Sequence, residues 1–197
     1  MTAQTQPHSP VGDILPRRVR YRTWPATLAI FGAVVLYLGV LIALDERTPP
    51  GTAVVPGQTV LVGRGVSYLP TEGWYVDAPS VHAGQAHGVR LDSLTFIVSA
   101  AEWSGSAEEP LARAMRIALT AKEPRHFGAT SDVSTAGGLA GRTVDLFGTR
   151  TQGRYWVFVD PSRKLAVVAH AQGTPDQFHR HEPALQSMVD SLSVAAP

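Results

Sequence analysis

The side chains with which this chain could do chemistry are its histidines and a few carboxylates. His179 and His181 flank Arg180 and precede Glu182, while His82 and His87 fall in a Gly-rich loop. A metal centre needs three or four converging ligands. Two histidines at i and i+2 on a helix point in different directions, so this pair chelates poorly and reads as solvated surface. His170, near the end of an apolar strand, reads as a hydrogen-bonded residue at the edge of the core rather than a base. Asp145, Glu102 and Asp160 lie on different predicted strands. A glycosidase would need two carboxyls within about 5–10 Å of each other, which strand spacing alone does not establish.

The remaining motifs point away from catalysis. Gly63-Arg64-Gly65 opens a dinucleotide-like pattern, but Tyr68 stands where the third glycine belongs and no βαβ unit surrounds it. Gly137, Gly138 and Gly141 read as turn and strand glycines, with no following G-K-[ST], and G-x-S-x-G is absent. The chain has no cysteine, which removes a disulfide framework, a thiol nucleophile, a Cys-based zinc site and a lipid-modified N-terminal Cys. The expectation is a protein that is not an enzyme and carries neither cofactor nor metal.

Binding is better served. Trp74, Tyr75, Trp103, Tyr155 and Trp156 make the C-terminal part locally rich in large aromatics. Most are expected in the core, and any exposed remainder would form a hot-spot surface. Arg142, Arg150 and Arg154 lie on neighbouring predicted strands and could form a basic strip for an anionic headgroup or an acidic partner.

The elements that hold these residues begin with an apolar run. From Thr23 to Leu44 there is no charged residue. Some 20 helical residues span about 30 Å, the thickness of the hydrocarbon core. Pro25 suits a first helical turn, and Trp24 stands where an aromatic anchor meets the headgroups. Arg17, Arg18, Arg20 and Arg22 precede the run, and with Asp13 they give residues 1–22 a charge of +3. Positive charge on that side places the N-terminus in the cytoplasm. A cleaved signal peptide has a shorter apolar region and a small-residue cleavage site. Here Leu41-Ile42-Ala43-Leu44-Asp45 matches that poorly, so the run reads as a retained single-pass anchor. Gly32 and Gly39, seven apart, could admit a neighbouring helix.

The rest carries 13 basic and 15 acidic residues, a net −2. A nucleic-acid reader would concentrate positive charge on its folded domain, so nucleic acid is not an expected partner. Residues 45–59, with three prolines and two glycines, read as a linker. Residues 60–197 then form one domain. Strands are predicted over 66–69, 74–76, 89–103, 130–134, 140–147, 154–160 and 165–170, the last three as an antiparallel meander. In 154–160 both faces are apolar, as in a central strand covered on each side. One helix starts near Glu109-Pro110 with Leu111, Met115, Ala118 and Leu119 on one face. A second starts at Thr174, with Gln177 completing a capping box and Pro183 bending or restarting it. This is an α+β domain: an antiparallel sheet packed by two helices.

That order resembles the PsbP/Mog1-like α/β/α sandwich, members of which include bacterial envelope proteins such as lipoproteins of the LpqN type. The residues that carry the likeness are GVSYLPTEGW, GGLAGR, RYWVFVDPSRKLAVVAHAQG, Phe178 and the closing MVDSL. They cover most of 60–197 and are core and turn residues. The resemblance implies an accessory or binding domain that assists larger assemblies or holds a small ligand. The expectation is therefore a single-pass plasma-membrane protein. Its helix meets the bilayer, and its extracytoplasmic domain serves a protein partner in a membrane or envelope complex. The alternatives are an envelope protein holding a lipid or cell-wall glycan fragment and, with least support, an envelope hydrolase.

Overall fold

The computed structural model describes residues 30–31, 33–40 and 51–195. Trp24, Gly32, the basic tail and most of the 23–44 run lie outside the described residues. Residues 30–31 and 33–40 are helical and their side chains are exposed, and nothing lies near Gly39 that a side chain there would meet. Among the described residues no helix is long and apolar enough to cross a membrane.

The C-terminal compact unit starts at Pro49. Residues 51–59 are part of it, although Gly51, Pro56 and Gly57 suggest a linker. Val76 donates its N–H to the Thr52 carbonyl and Val54 donates its own to the Trp74 carbonyl. The Val54 side chain joins the core. Backbone pairing and one buried valine outweigh the local composition.

Three short strands form a small antiparallel sheet in the order β1 (Val60–Gly63), β2 (Val66–Tyr68), β11 (Ser193–Val194). The main sheet is antiparallel and takes the order β3 (Tyr75–Val76), β4 (Ala86–Leu91), β5 (Leu94–Glu102), β10 (Leu165–Gly173), β9 (Gln152–Asp160), β8 (Ala140–Gly148), β6 (Arg125–Phe127). A further strand, β7 (Ser131–Ser134), also pairs with β8. The predicted strand over 89–103 is two strands. Leu91 faces Leu94 across a two-residue turn in which Asp92 takes a φ of 52°. A short polar residue tolerates that left-handed conformation, and the apolar alternation on either side hides the break.

The meander is as expected. Strand β9 sits between β10 and β8, with Val157 opposite both Val168 and Arg142. Its Trp156 and Phe158 enter one apolar cluster and Tyr155 and Val157 another. The first cluster lies under α2 (Pro175–Asp190), through Phe178, Leu185, Met188 and Val189, and the second under α1 (Glu108–Ala118), through Leu111 and Ala118. Side-chain alternation with period two sends successive residues of one strand to opposite helices.

Two helix details differ from expectation. Thr174 makes no side-chain cap bond and Gln177 Oε1 is buried without a partner among the described residues, so the capping box is not closed. Helix α2 also runs through Pro183 instead of restarting there. The apolar stripe of Phe178, Leu185, Met188 and Val189 on both sides of the proline holds it against the sheet.

Candidate functional site

Where α1 crosses the sheet, small side chains face one another. Ser99 and Ala101 on β5 and Ala166 and Val168 on β10 form the floor, and Pro110, Ala114 and Ile117 of α1 form a wall. Leucines at these positions would fill the gap. Alanines and a serine leave a groove of about 240 Å³. The Ser99 hydroxyl donates to the Val168 carbonyl at 3.3 Å and so is already engaged.

Trp103 closes one end. Its backbone N–H donates to the Lys164 carbonyl at 2.8 Å, and its indole N–H donates to the Ser106 carbonyl at 3.0 Å. Gly105 lies under the indole, where a Cβ would meet the ring at 3.0 Å. The Arg113 guanidinium sits 5.8 Å from the Trp103 ring centroid, within cation–π range. Glu102, at the rim, pairs with Arg64 at 3.7 Å. Ile117 projects at the mouth with 65 % of its surface exposed, and Leu119, at the end of the helix, is also exposed. The sequence places Leu119 on the buried face of the helix, but the helix ends at Ala118 and Leu119 caps it outside the packed turn. The groove is thus apolar, open, and framed by one aromatic and one cation. It can seat an aliphatic or aromatic side chain, or a short acyl segment.

Of the aromatics named from the sequence, Trp74, Tyr155 and Trp156 form no exposed surface, while Trp103 lines the groove. Trp74 and Trp156 are 1 % and 2 % exposed, and Tyr155 is buried beside Phe127 and His170. Tyr75 is half-buried on β3. These rings occupy core positions because the sheet is covered on both faces. The basic strip is likewise absent. Arg142 and Arg154 point to opposite faces of the sheet, since Arg142 pairs across from Val157 and Arg154 across from Asp145. Arg142 engages Asp132 at 3.1 Å, and Arg150 lies in the β8–β9 turn, its backbone N–H held by Glu123 at 2.6 Å.

Arg154 instead anchors a polar cluster against the core. It donates to Asp145 at 2.5 Å and to Glu182 on α2 at 2.8 Å, with its guanidinium 5.8 Å from both the Trp156 and Phe178 rings. Asp160 accepts from Ser162 and Arg163 at the β9–β10 turn, and the Ser162 bond foremost holds its carboxyl below the usual range. The three carboxylates of interest therefore each hold a separate basic partner.

His87 belongs to β4 rather than a loop and shares a 3.0 Å hydrogen bond with the Tyr68 hydroxyl. Burial lowers the His87 pKa and raises that of Tyr68. His170 lies flat on Tyr155, ring centroids 5.3 Å apart and 19° from parallel, rather than in the hydrogen bond expected of it. Burial pushes its pKa down to about 4. His179 packs edge-on to Phe178 on α2. Among the described residues no three His, Asp or Glu side chains come together as a metal site.

Sequence reasoning singled out Trp103 but missed Arg113, Ile117 and the small residues of the groove. The available signal was Ile117 itself, an aliphatic residue off the Leu111–Met115–Ala118 stripe of an otherwise polar-backed helix.

No protein-family model matches the chain, and no curated protein matches it. Among solved structures, the solution structure of cyanobacterial PsbP (CyanoP) from Synechocystis aligns over 75 % of this chain and 98 % of its own, at 14 % identity and a TM-score of 0.54. A protein of unknown function, PA94, from Pseudomonas aeruginosa aligns over 73 % of this chain and 90 % of its own, at 16 % identity and a TM-score of 0.42. The chain has a PsbP-like fold.

Proposed function

We propose that this chain is a single-pass membrane protein with a cytoplasmic N-terminus. In this reading its extracytoplasmic PsbP-like domain is a non-enzymatic accessory module that binds a protein partner in a membrane or envelope complex. The observation that carries the reading is the groove beside α1. It is apolar, it is flanked by exposed Ile117 and Leu119, and its Trp103–Arg113 rim has the composition of an interface anchor. The uncharged run from Thr23 to Leu44 and the arginines before it support the anchor. The helix at 33–40 is apolar on every side, which fits lipid better than water.

A second reading places a lipid or cell-wall fragment in the same groove, which its apolar lining favours. Its volume of about 240 Å³ falls below the roughly 300–1,000 Å³ of small-molecule sites. A side chain from a partner fits that space better.

The test is purification of the tagged full-length chain from its native membrane in mild detergent, with mass spectrometry of what accompanies it. A reproducible, near-stoichiometric set of membrane subunits is expected, lost on Ile117→Asp with the melting temperature of the domain unchanged. A chain that elutes alone ends the assembly reading, and bound lipid or glycan would then be sought on the soluble domain.

A further inference from the structure

The opening of the domain carries an apolar surface that its core does not use. From Thr48 to Gly63 the chain has no charged residue. Within this stretch Val54 and Val62 are buried, while Val55 and Leu61 point outward at 58 % and 77 % exposure. Both line one shallow depression with Gln58, Thr59 and Val60, and none of its lining residues is charged. Strand β1 lies at the edge of the small sheet, and the β1–β2 register shifts between Leu61 and Gly63. Such an irregularity re-aims a side chain at a sheet edge.

The length of chain before the domain limits how far this surface can stand from an anchor. The compact unit begins at Pro49. If the apolar run to Leu44 spans the bilayer, residues 45–48 are all that separates it from the domain. Extended chain covers at most about 3.6 Å per residue, so the tether reaches no more than about 18 Å. The surface built from the first residues after that tether is neutral and bears two exposed aliphatic side chains. Binding at the boundary between headgroups and acyl chains scales with the apolar area buried there.

We propose that Val55 and Leu61 rest in the headgroup region of the bilayer that anchors the chain, docking the domain on the lipid surface. This inference rests on the anchored reading, and its test separates the two.

The chain has no cysteine, so single probes can be placed cleanly. Full-length Leu61→Cys and Val55→Cys, with Leu36→Cys as the anchor control and exposed Ser131→Cys and Ser162→Cys as the solvent controls, are labelled with nitrobenzoxadiazole. Each is reconstituted in phosphatidylcholine–phosphatidylglycerol nanodiscs with or without doxyl-labelled lipid, and iodide serves as the aqueous quencher. Doxyl lipid is expected to remove a large share of the emission at 36, 55 and 61 and little at 131 and 162, with iodide showing the reverse order. Quenching by doxyl lipid at 36 with iodide quenching at 55 and 61 overturns the docking and leaves the anchor. Protection of 55 and 61 from both quenchers assigns the patch to a second copy or a protein partner and overturns the lipid assignment. No doxyl quenching at 36 overturns the anchor, and the docking falls with it.

Discussion

Lowering the pH from 7 to 4 should destabilise the domain through His170, and the effect can be isolated. The ring of His170 is packed against Tyr155, and burial lowers its pKa from 6.5 to about 4. In the unfolded chain the histidine recovers its ordinary value, so between these two pH values the unfolded state holds more protons than the native state. Stability therefore rises with pH across that window and is lost as pH falls through it. Each pH unit is worth about 1.4 kcal/mol, so the full window costs about 3 kcal/mol at most, less to the extent that solvent reaches the half-buried ring. The assay is urea denaturation of the 49–197 unit at pH 7, 6, 5 and 4, for wild type and His170→Phe. Phenylalanine keeps the stack on Tyr155 and cannot titrate. His87, whose pKa is also lowered by burial, acts with the same sign in both proteins and cancels in the difference. So do the lowered carboxylates Glu123 and Asp160. The difference in stability between wild type and variant should fall with pH by about 2–3 kcal/mol between 7 and 4. Parallel pH profiles for the two proteins would refute the reasoning, because His170 would then titrate alike in both states.

Two further perturbations probe the frame around the site. A methyl group at Gly141 would run into the Val157 carbonyl of the neighbouring strand. Gly141→Ala should therefore cost about 1–3 kcal/mol of stability by urea titration, by forcing backbone displacement in the β8–β9 ladder. Arg154→Met should leave Asp145 and Glu182 unpaired beside the core and cost about 1–3 kcal/mol. Adding Asp145→Asn and Glu182→Gln should recover part of that loss in the same assay. Additive losses across the triple variant would mean the three side chains do not act together.

Much of the fold was legible because it rests on local periodicity. The meander from Ala140 to Gly173, the two-faced apolar pattern of β9 and the stripe of α2 each follow from spacing alone. Breaks set by single backbone conformations were harder. Asp92 turns β4 into β5 inside what reads as one strand, because a left-handed φ at a polar residue leaves little mark on the hydrophobic pattern. Long-range pairing was harder still. Residues 52–54 read as linker because nothing local marks their pairing with Trp74 and Val76.

The candidate site divides in the same way. Residue type determined that the chain carries a long uncharged apolar run, a basic stretch before it, no thiol and a supply of tryptophan and arginine. Residue type could not decide which of those side chains meet solvent. Trp74 and Trp156 entered the core because the sheet is covered on both faces, and Arg142 and Arg154 separated because alternation along β8 and β9 points them to opposite sides. Only the packing of α1 on β9 and β10 brought Ala114 near Ala101 and Ala166 and left a groove between them. A groove is missing volume between elements far apart in the chain. It is fixed by how helix and sheet pack, whereas the elements themselves are fixed by the spacing of apolar residues along each segment.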